Sequence, residues 1–260
     1  ASGRLWVADT GHHRILRFNN ASSLATGAAA SGLLGQPNYS TMTSGTSENR
    51  MNGPGDLEVD AAGRLWVVDT GNNRVLRWDN AVSLAPDAGA NGVLGQATFA
   101  GSGSNTSAAS LYGPHFLALE HSDSSLVRLW VSDTTNSRVL AFSFPASKAS
   151  GAAADKVLGH PDFTTFPAAD PPTAASLDHP EGMAIQGADL WVADTGNRRV
   201  LRYANAGAKP NGGTADAVLG QASFSERASG PGLDHLAGPA ALAFAGTRLW
   251  IADLGNDRLV

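Results

Sequence analysis

Apolar and polar positions in this chain follow a phrase that returns five times. Residues 64–78, RLWVVDTGNNRVLRW, read as an apolar strand (Leu65–Val68), a polar turn (Asp69–Asn73) and a second strand (Arg74–Trp78). The other copies are RLWVADTGHHRILRF at 4–18, RLWVSDTTNSRVLAF at 128–142, DLWVADTGNRRVLRY at 189–203 and RLWIADLGNDRLV at 248–260. Recurrence at roughly sixty residues is the signature of a repeat architecture. Two further landmarks keep step with the repeated Trp: an LG pair (Gly35, Gly95, Gly159, Gly220) and a Pro opening the next apolar run (Pro54, Pro114, Pro180, Pro239). Length varies mainly in two connections, the one before the Pro and the one between that run and the next Trp.

Each full unit therefore carries four short strands, A to D. Strand A follows the Pro (Leu57–Val59, Leu117–Leu119, Met183–Ile185, Leu242–Phe244), B is the LWV run, C follows the DTGNNR turn and D is the VLGQ run. Strand B is apolar on both faces instead of alternating, so both faces must be covered. Four-stranded units with doubly buried middle strands describe the blades of a β-propeller. The C-to-D connection, of constant length, opens with Asn or Asp before small residues, which predicts a side-chain cap on a single helical turn. The Gly-, Ser- and Thr-rich D-to-A connections are expected on the surface.

The motif GPxxLxVDxxGRLWVxDTGNNRVLRW resembles the NHL repeat, and the trailing VLGQxxF resembles bacterial extracellular members of that family. The resemblance covers essentially the whole chain. It implies an all-β propeller of four-stranded antiparallel blades, usually six to a ring, with residues 1–260 as one domain. The strand tally is eighteen, three each in the first and last units, so the chain is expected to be part of a longer, six-bladed ring, incomplete at both ends. Copy three departs from the pattern at Thr135, where Gly recurs, and at Ala141, where Arg recurs. Its turn is expected to be tighter or strained.

Composition narrows the function. The net charge is −5 and the 18 basic residues are spread through the repeats, against the clustered basic face that nucleic acid needs. No apolar run approaches the ~20 residues that span a bilayer. The chain has no cysteine, which removes disulfides, thiolate nucleophiles and cysteine-rich zinc sites. No HExxH, Walker loop, GxSxG or dinucleotide fingerprint is present.

Each repeat has an Asp at the end of strand B with an Arg five residues on: Asp9/Arg14, Asp69/Arg74, Asp133/Arg138, Asp194/Arg199 and Asp253/Arg258. A ring of metal ligands is one reading. Recurrence in every unit favours the other, a structural pair in which Asp also accepts N–H groups of its own turn. Function is expected where the copies differ. In a propeller the D-to-A and B-to-C connections share one face. That face gathers His115, His179, His235, Asp56 and Glu181 from different blades, besides His12 and His13, while His121 falls on the other and His160 replaces the Gln of strand D. Imidazoles and carboxylates from separate elements can bind a metal, or they can be ordinary polar loop residues. Asp56, His115 and Glu181 would be the ligands of any divalent ion, and no other cofactor is expected. Glu58 stands where other copies have Ala118, Ala184 and Ala243, and is expected to pair with an Arg across blades.

The expected function is a non-catalytic binding or scaffold propeller, extracellular or periplasmic. It would present its variable loops to a protein, glycan or small molecule, without nucleic acid. The alternative is a metal-dependent lyase or hydrolase at the mouth of the central channel, by analogy with the amidating lyases that the repeat class resembles.

Overall fold

The computed structural model describes residues 3–122, 125–166 and 168–260. The strands form five antiparallel sheets taken up in chain order. The first holds β1 (Leu5–Asp9), β2 (Arg14–Phe18) and β3 (Gly32–Leu34), and the second β4 (Pro54–Val59), β5 (Leu65–Asp69), β6 (Arg74–Trp78) and β7 (Gly92–Leu94). The third holds β8 (Leu117–Ser122), β9 (Ser125–Asp133), β10 (Arg138–Ser143) and β11 (Lys156–Leu158). The fourth holds β12 (Pro180–Gln186), β13 (Asp189–Asp194), β14 (Arg199–Tyr203) and β15 (Ala217–Leu219), and the fifth β16 (Pro239–Ala245), β17 (Arg248–Asp253) and β18 (Arg258–Leu259). Each is a propeller blade, three with four strands and two with three. The first and last blades form separate sheets.

Burial explains the pattern of strand B. All five residues of β5 are buried. Leu65 and Val67 pack on Ile15 and Leu34 of the preceding blade, whereas Trp66 and Val68 pack on Leu117, Leu129 and Val131 of the next. The arrangement recurs one blade on, where Trp130 and Val139 meet Leu190, Val192 and Leu201. Of the five repeat Trp residues, Trp66 and Trp130 are fully buried, Trp6 and Trp191 are half-buried and Trp250 in the last blade is 46% exposed. Truncating Trp66 or Trp130 to Ala would cost about 3–5 kcal/mol.

Among the described residues there is no α-helix, only single 3-10 turns. They follow strand C, as expected, and also strand B, which was not expected. Nor is the C-to-D turn closed by a side-chain cap. Asn20, Asn80 and Asn205 stand before it in the left-handed conformation, φ 48–50°, with no capping hydrogen bond. Asn tolerates that conformation because its short amide bonds locally. The B-to-C turn of the third blade is not tightened by Thr135: its left-handed residue Ser137 has φ 53°, as does Asn73 one blade earlier. Among the described residues no helix is long and apolar enough to cross a membrane.

Candidate functional site at the channel mouth

The inner strands frame the site. β4, β8, β12 and β16 are each the first strand of a blade and pack successively against one another, with β1 against β4. The blades are stitched at one end of these strands. Thr10 Oγ1 donates to Pro54 O (2.8 Å), Thr70 to Pro114 O (2.8 Å), Thr134 to Pro180 O (2.7 Å) and Thr195 to Pro239 O (2.6 Å). At the same end the D-to-A connection meets its own B-to-C turn, through Gly71 N to Asn52 O and Gly196 N to Asp178 O. The two sets of loops thus share a face, as the sequence implied. The C-to-D connections join the A-to-B turns at the other end, through Ala81 N to Gly63 O and Ala206 N to Ala188 O.

The five Asp–Arg pairs are structural. Arg74 Nε donates to Asp69 Oδ2 at 2.7 Å, Arg138 to Asp133 at 2.6 Å and Arg199 to Asp194 at 2.6 Å, all buried. Asp69 also accepts from Asn52 N (2.7 Å) and Asn72 Nδ2 (2.8 Å), and the Arg74 guanidinium donates to the carbonyls of Arg50, Ser47 and Phe99. In the second to fifth blades the pair therefore ties the turn to the D-to-A connection and its carboxylate is fully buried, whereas Asp9 in the first blade is 22% exposed and among the described residues bonds only His12 and Arg14.

Between the first three blades these elements leave a recess of about 350 Å³, lined by Thr10, Gly53, Gly55, Asp56, Thr70, His115 and Phe116. Asp56 accepts the N–H of Leu117 at 2.9 Å, which holds its carboxylate against β8. Burial pushes the Asp56 carboxyl up, against the pull of the Leu117 and Leu57 N–H groups. His115 is exposed. Glu181, on the next inner strand, is also raised by burial, while the imidazoles of His115 and His179 pull it back.

Not every expected residue belongs to this recess. Nδ1 of His179 lies 2.6 Å from Asp178 Oδ1, and Nδ1 of His235 lies 2.8 Å from Asp234 Oδ1. Both imidazoles therefore have a local carboxylate partner. His13 is a joint between blades, its Nδ1 accepting the N–H of Gly53 at 2.9 Å. His160 is buried, with Nε2 3.1 Å from Asn136 O, in the place where Gln36, Gln96 and Gln221 bond the same turn. Burial lowers its pKa, so the ring stays neutral. Among the described residues no three His, Asp or Glu side chains stand close enough together to hold a metal ion. Asp56, His115 and Glu181 are thus not assembled as one metal site.

Glu58 differs from the expectation most. Among the described residues it has no Arg partner. The nearest charge acting on it is Asp56, two residues away on β4, and burial together with that charge raises its pKa to about 7. Thr10 and Thr70 were not legible as site residues. Their threonines belong to the repeated DTG turn, and only the packing of blades shows that two of them line the recess.

The fold is shared with solved structures. A streptogramin B lyase structure superposes with a TM-score of 0.55 at 14% identity, covering 100% of this chain and 61% of that one. A catalytically inactive virginiamycin B lyase from Staphylococcus aureus with quinupristin gives 0.55 at 15%, with 100% and 62% covered. A selenomethionine-substituted virginiamycin B lyase from the same organism gives 0.52 at 15%, with 99% and 65% covered. The chain spans less than two thirds of the length of each. No family model and no curated protein matches the chain, so the NHL resemblance rests on the repeated motif itself. At this level of identity the likeness establishes one thing, that the chain has a β-propeller fold.

Proposed function

We propose that this protein is a binding propeller that takes its ligand in the recess between the first three blades, at the mouth of the channel. The observation that carries the reading is the recess itself, where the Asp56 carboxylate, held by the Leu117 N–H, and the exposed imidazole of His115 line one concave surface with Phe116 on an otherwise regular repeat. A concave apolar surface with a few convergent polar groups is the usual form of a small-molecule site. The Gly-, Ser- and Thr-rich D-to-A connections flank the same face and suit contact with a glycan or with a protein partner. An extracellular or periplasmic setting goes with this reading, supported by the resemblance of the VLGQxxF run to bacterial extracellular members of the NHL family.

The test is a thermal-shift screen of glycans, peptides and small molecules, repeated on His115→Ala and Asp56→Ala. His115 is exposed, so its substitution should change stability by no more than about 0.5 kcal/mol. Ligands that stabilise the wild type should lose their effect in both variants. Ligands whose effect survives both substitutions would move the site elsewhere.

A metal-dependent lyase is the second reading, favoured by the fold shared with lyase structures. The donor set does not fit it well, since no three candidate ligands gather among the described residues. Elemental analysis of purified protein separates the two: a stoichiometric divalent metal lost in Glu181→Ala supports the lyase.

A further inference from the structure

The inner strands place one carboxylate in an otherwise apolar ring. Glu58 pairs with Trp66 across β4 and β5, and the residues in the same register are Ala118 opposite Trp130, Ala184 opposite Trp191 and Ala243 opposite Trp250. Three methyl groups and one carboxylate therefore share a level of the channel. Around that carboxylate lies a second recess of about 230 Å³, lined among others by Glu58, Ala118, Leu119, Met183, Ala184 and Ile185. Asp56 stands two residues away on the same strand and lines the recess at the mouth, and its charge acts directly on Glu58. Among the described residues no lysine or arginine lines either recess.

We infer that the ligand of this propeller is an organic ammonium compound, its apolar body resting on Phe116 at the mouth and its cationic head drawn down the channel to Asp56 and Glu58. This rests on the binding reading above and names the ligand class. Among the described residues neither carboxylate has a cationic partner, and each lines a recess, Asp56 the one at the mouth and Glu58 the one beside Ala118 and Ala184. A cation entering there supplies the missing counter-charge, close to the half-buried Asp56 and to the solvent-exposed Glu58. An anionic ligand would meet only like charge. The aromatic ring beside the entrance suits an apolar stem and attracts a cation at its face.

The same geometry makes binding pH-dependent. The charged and titratable groups around Glu58 are Asp56 on its own strand, His115 and His121 on the β8 side, and Glu181 and His179 at the β12 end. Raised to about 7, the Glu58 carboxyl is mostly ionised in mildly alkaline solution and neutral in mild acid.

The test compares phenethylammonium with phenethyl alcohol and phenylacetate, by calorimetry or NMR titration, on wild type, Glu58→Gln and His115→Ala. Phenethylammonium should bind the wild type in preference to both analogues, about tenfold or more weaker at about pH 5 than at about pH 8. Glu58→Gln should lose both the preference and the pH dependence while remaining folded, with a melting temperature no lower than that of wild type. Equal binding of amine and alcohol, both lost in His115→Ala, would overturn the ammonium inference and leave the recess as the binding site. No binding of the amine also overturns it, and the broader screen then judges the recess separately. Calcium that displaces the amine from wild type, and stabilises it but not Glu58→Gln, would overturn it in favour of a metal ion.

Discussion

Thr134 Oγ1 donates to the carbonyl oxygen of Pro180 at 2.7 Å, and this buried bond joins the B-to-C turn of the third blade to the first residue of the fourth. Three other blade junctions repeat it. In the last blade Leu254 holds the threonine's place and is 68% exposed. Replacing Thr134 by Val keeps the shape and leaves the Pro180 carbonyl without its donor, a loss of about 1–3 kcal/mol. The equivalent Thr10→Val faces a partly solvated junction and should cost less. Chemical denaturation of both variants against wild type measures the difference.

A second prediction concerns the Asp–Arg pairs. Arg138 is 1% exposed and Asp133 is fully buried, and Asp133 also accepts from Tyr112 N and Asn136 Nδ2. Arg138→Met should cost about 3–5 kcal/mol, because it strands a buried carboxylate. In the first blade Arg14 and Asp9 are 15% and 22% exposed, so water can replace part of the lost pairing. Arg14→Met is expected to cost about 1 kcal/mol or less. Equal losses at the two positions would show that burial does not set the strength of the pair.

Most of the blade was legible in the sequence because it depends on neighbours along the chain. The B and C runs, the Asp–Arg spacing and the face on which each loop emerges all follow from the repeat. What depends on contacts between distant residues was not legible. Ala141 is an example. In the first, second and fourth blades the Arg opposite the Trp stacks on it, as Arg77 does at 5.8 Å from the Trp66 ring. Ala141 removes that cover from Trp130, and Arg128 on the same strand as the Trp swings over it instead, at 5.7 Å. Glu120 fixes Arg128 at 2.6 Å and also accepts from Trp130 Nε1 at 2.8 Å. The substitution is a relocation of the cation, invisible until the strand register is known. Glu58 failed for the same reason: a lone carboxylate suggests an arginine, and only the geometry shows that none reaches it.

Phe144 offers a stabilising substitution. It sits before the 3-10 turn of the third blade with φ 46° and ψ 51°, the position that Asn20, Asn80 and Asn205 hold in other blades. The left-handed conformation is costly for a bulky residue, and the ring is 64% exposed, so little packing compensates. Phe144→Asn should raise stability by about 1 kcal/mol. A drop in the denaturation midpoint would mean that the ring makes an apolar contact worth more than the backbone strain.

The last prediction follows the carboxyl of Glu58, whose pKa stands at about 7 against an ordinary value of 4.5. Burial raises it first and the charge of Asp56 adds to that. Between those two values the folded protein binds a proton that the unfolded chain has released, so stability falls as pH rises through this window and levels off above it. Below the unfolded value both states are protonated and the contribution is fully present. Asp56, raised in the same direction, adds a slope of the same sign. Glu58 is solvent-exposed near the end of its strand, which weakens the effect without changing its direction. Glu58→Gln removes the titration and keeps the shape. Melting temperatures taken from about pH 4 to about pH 8 should show the variant matching wild type at the acid end and exceeding it progressively toward the alkaline end. Parallel curves would place the Glu58 carboxyl at its ordinary value and remove the electrostatic basis for drawing a cation into the channel.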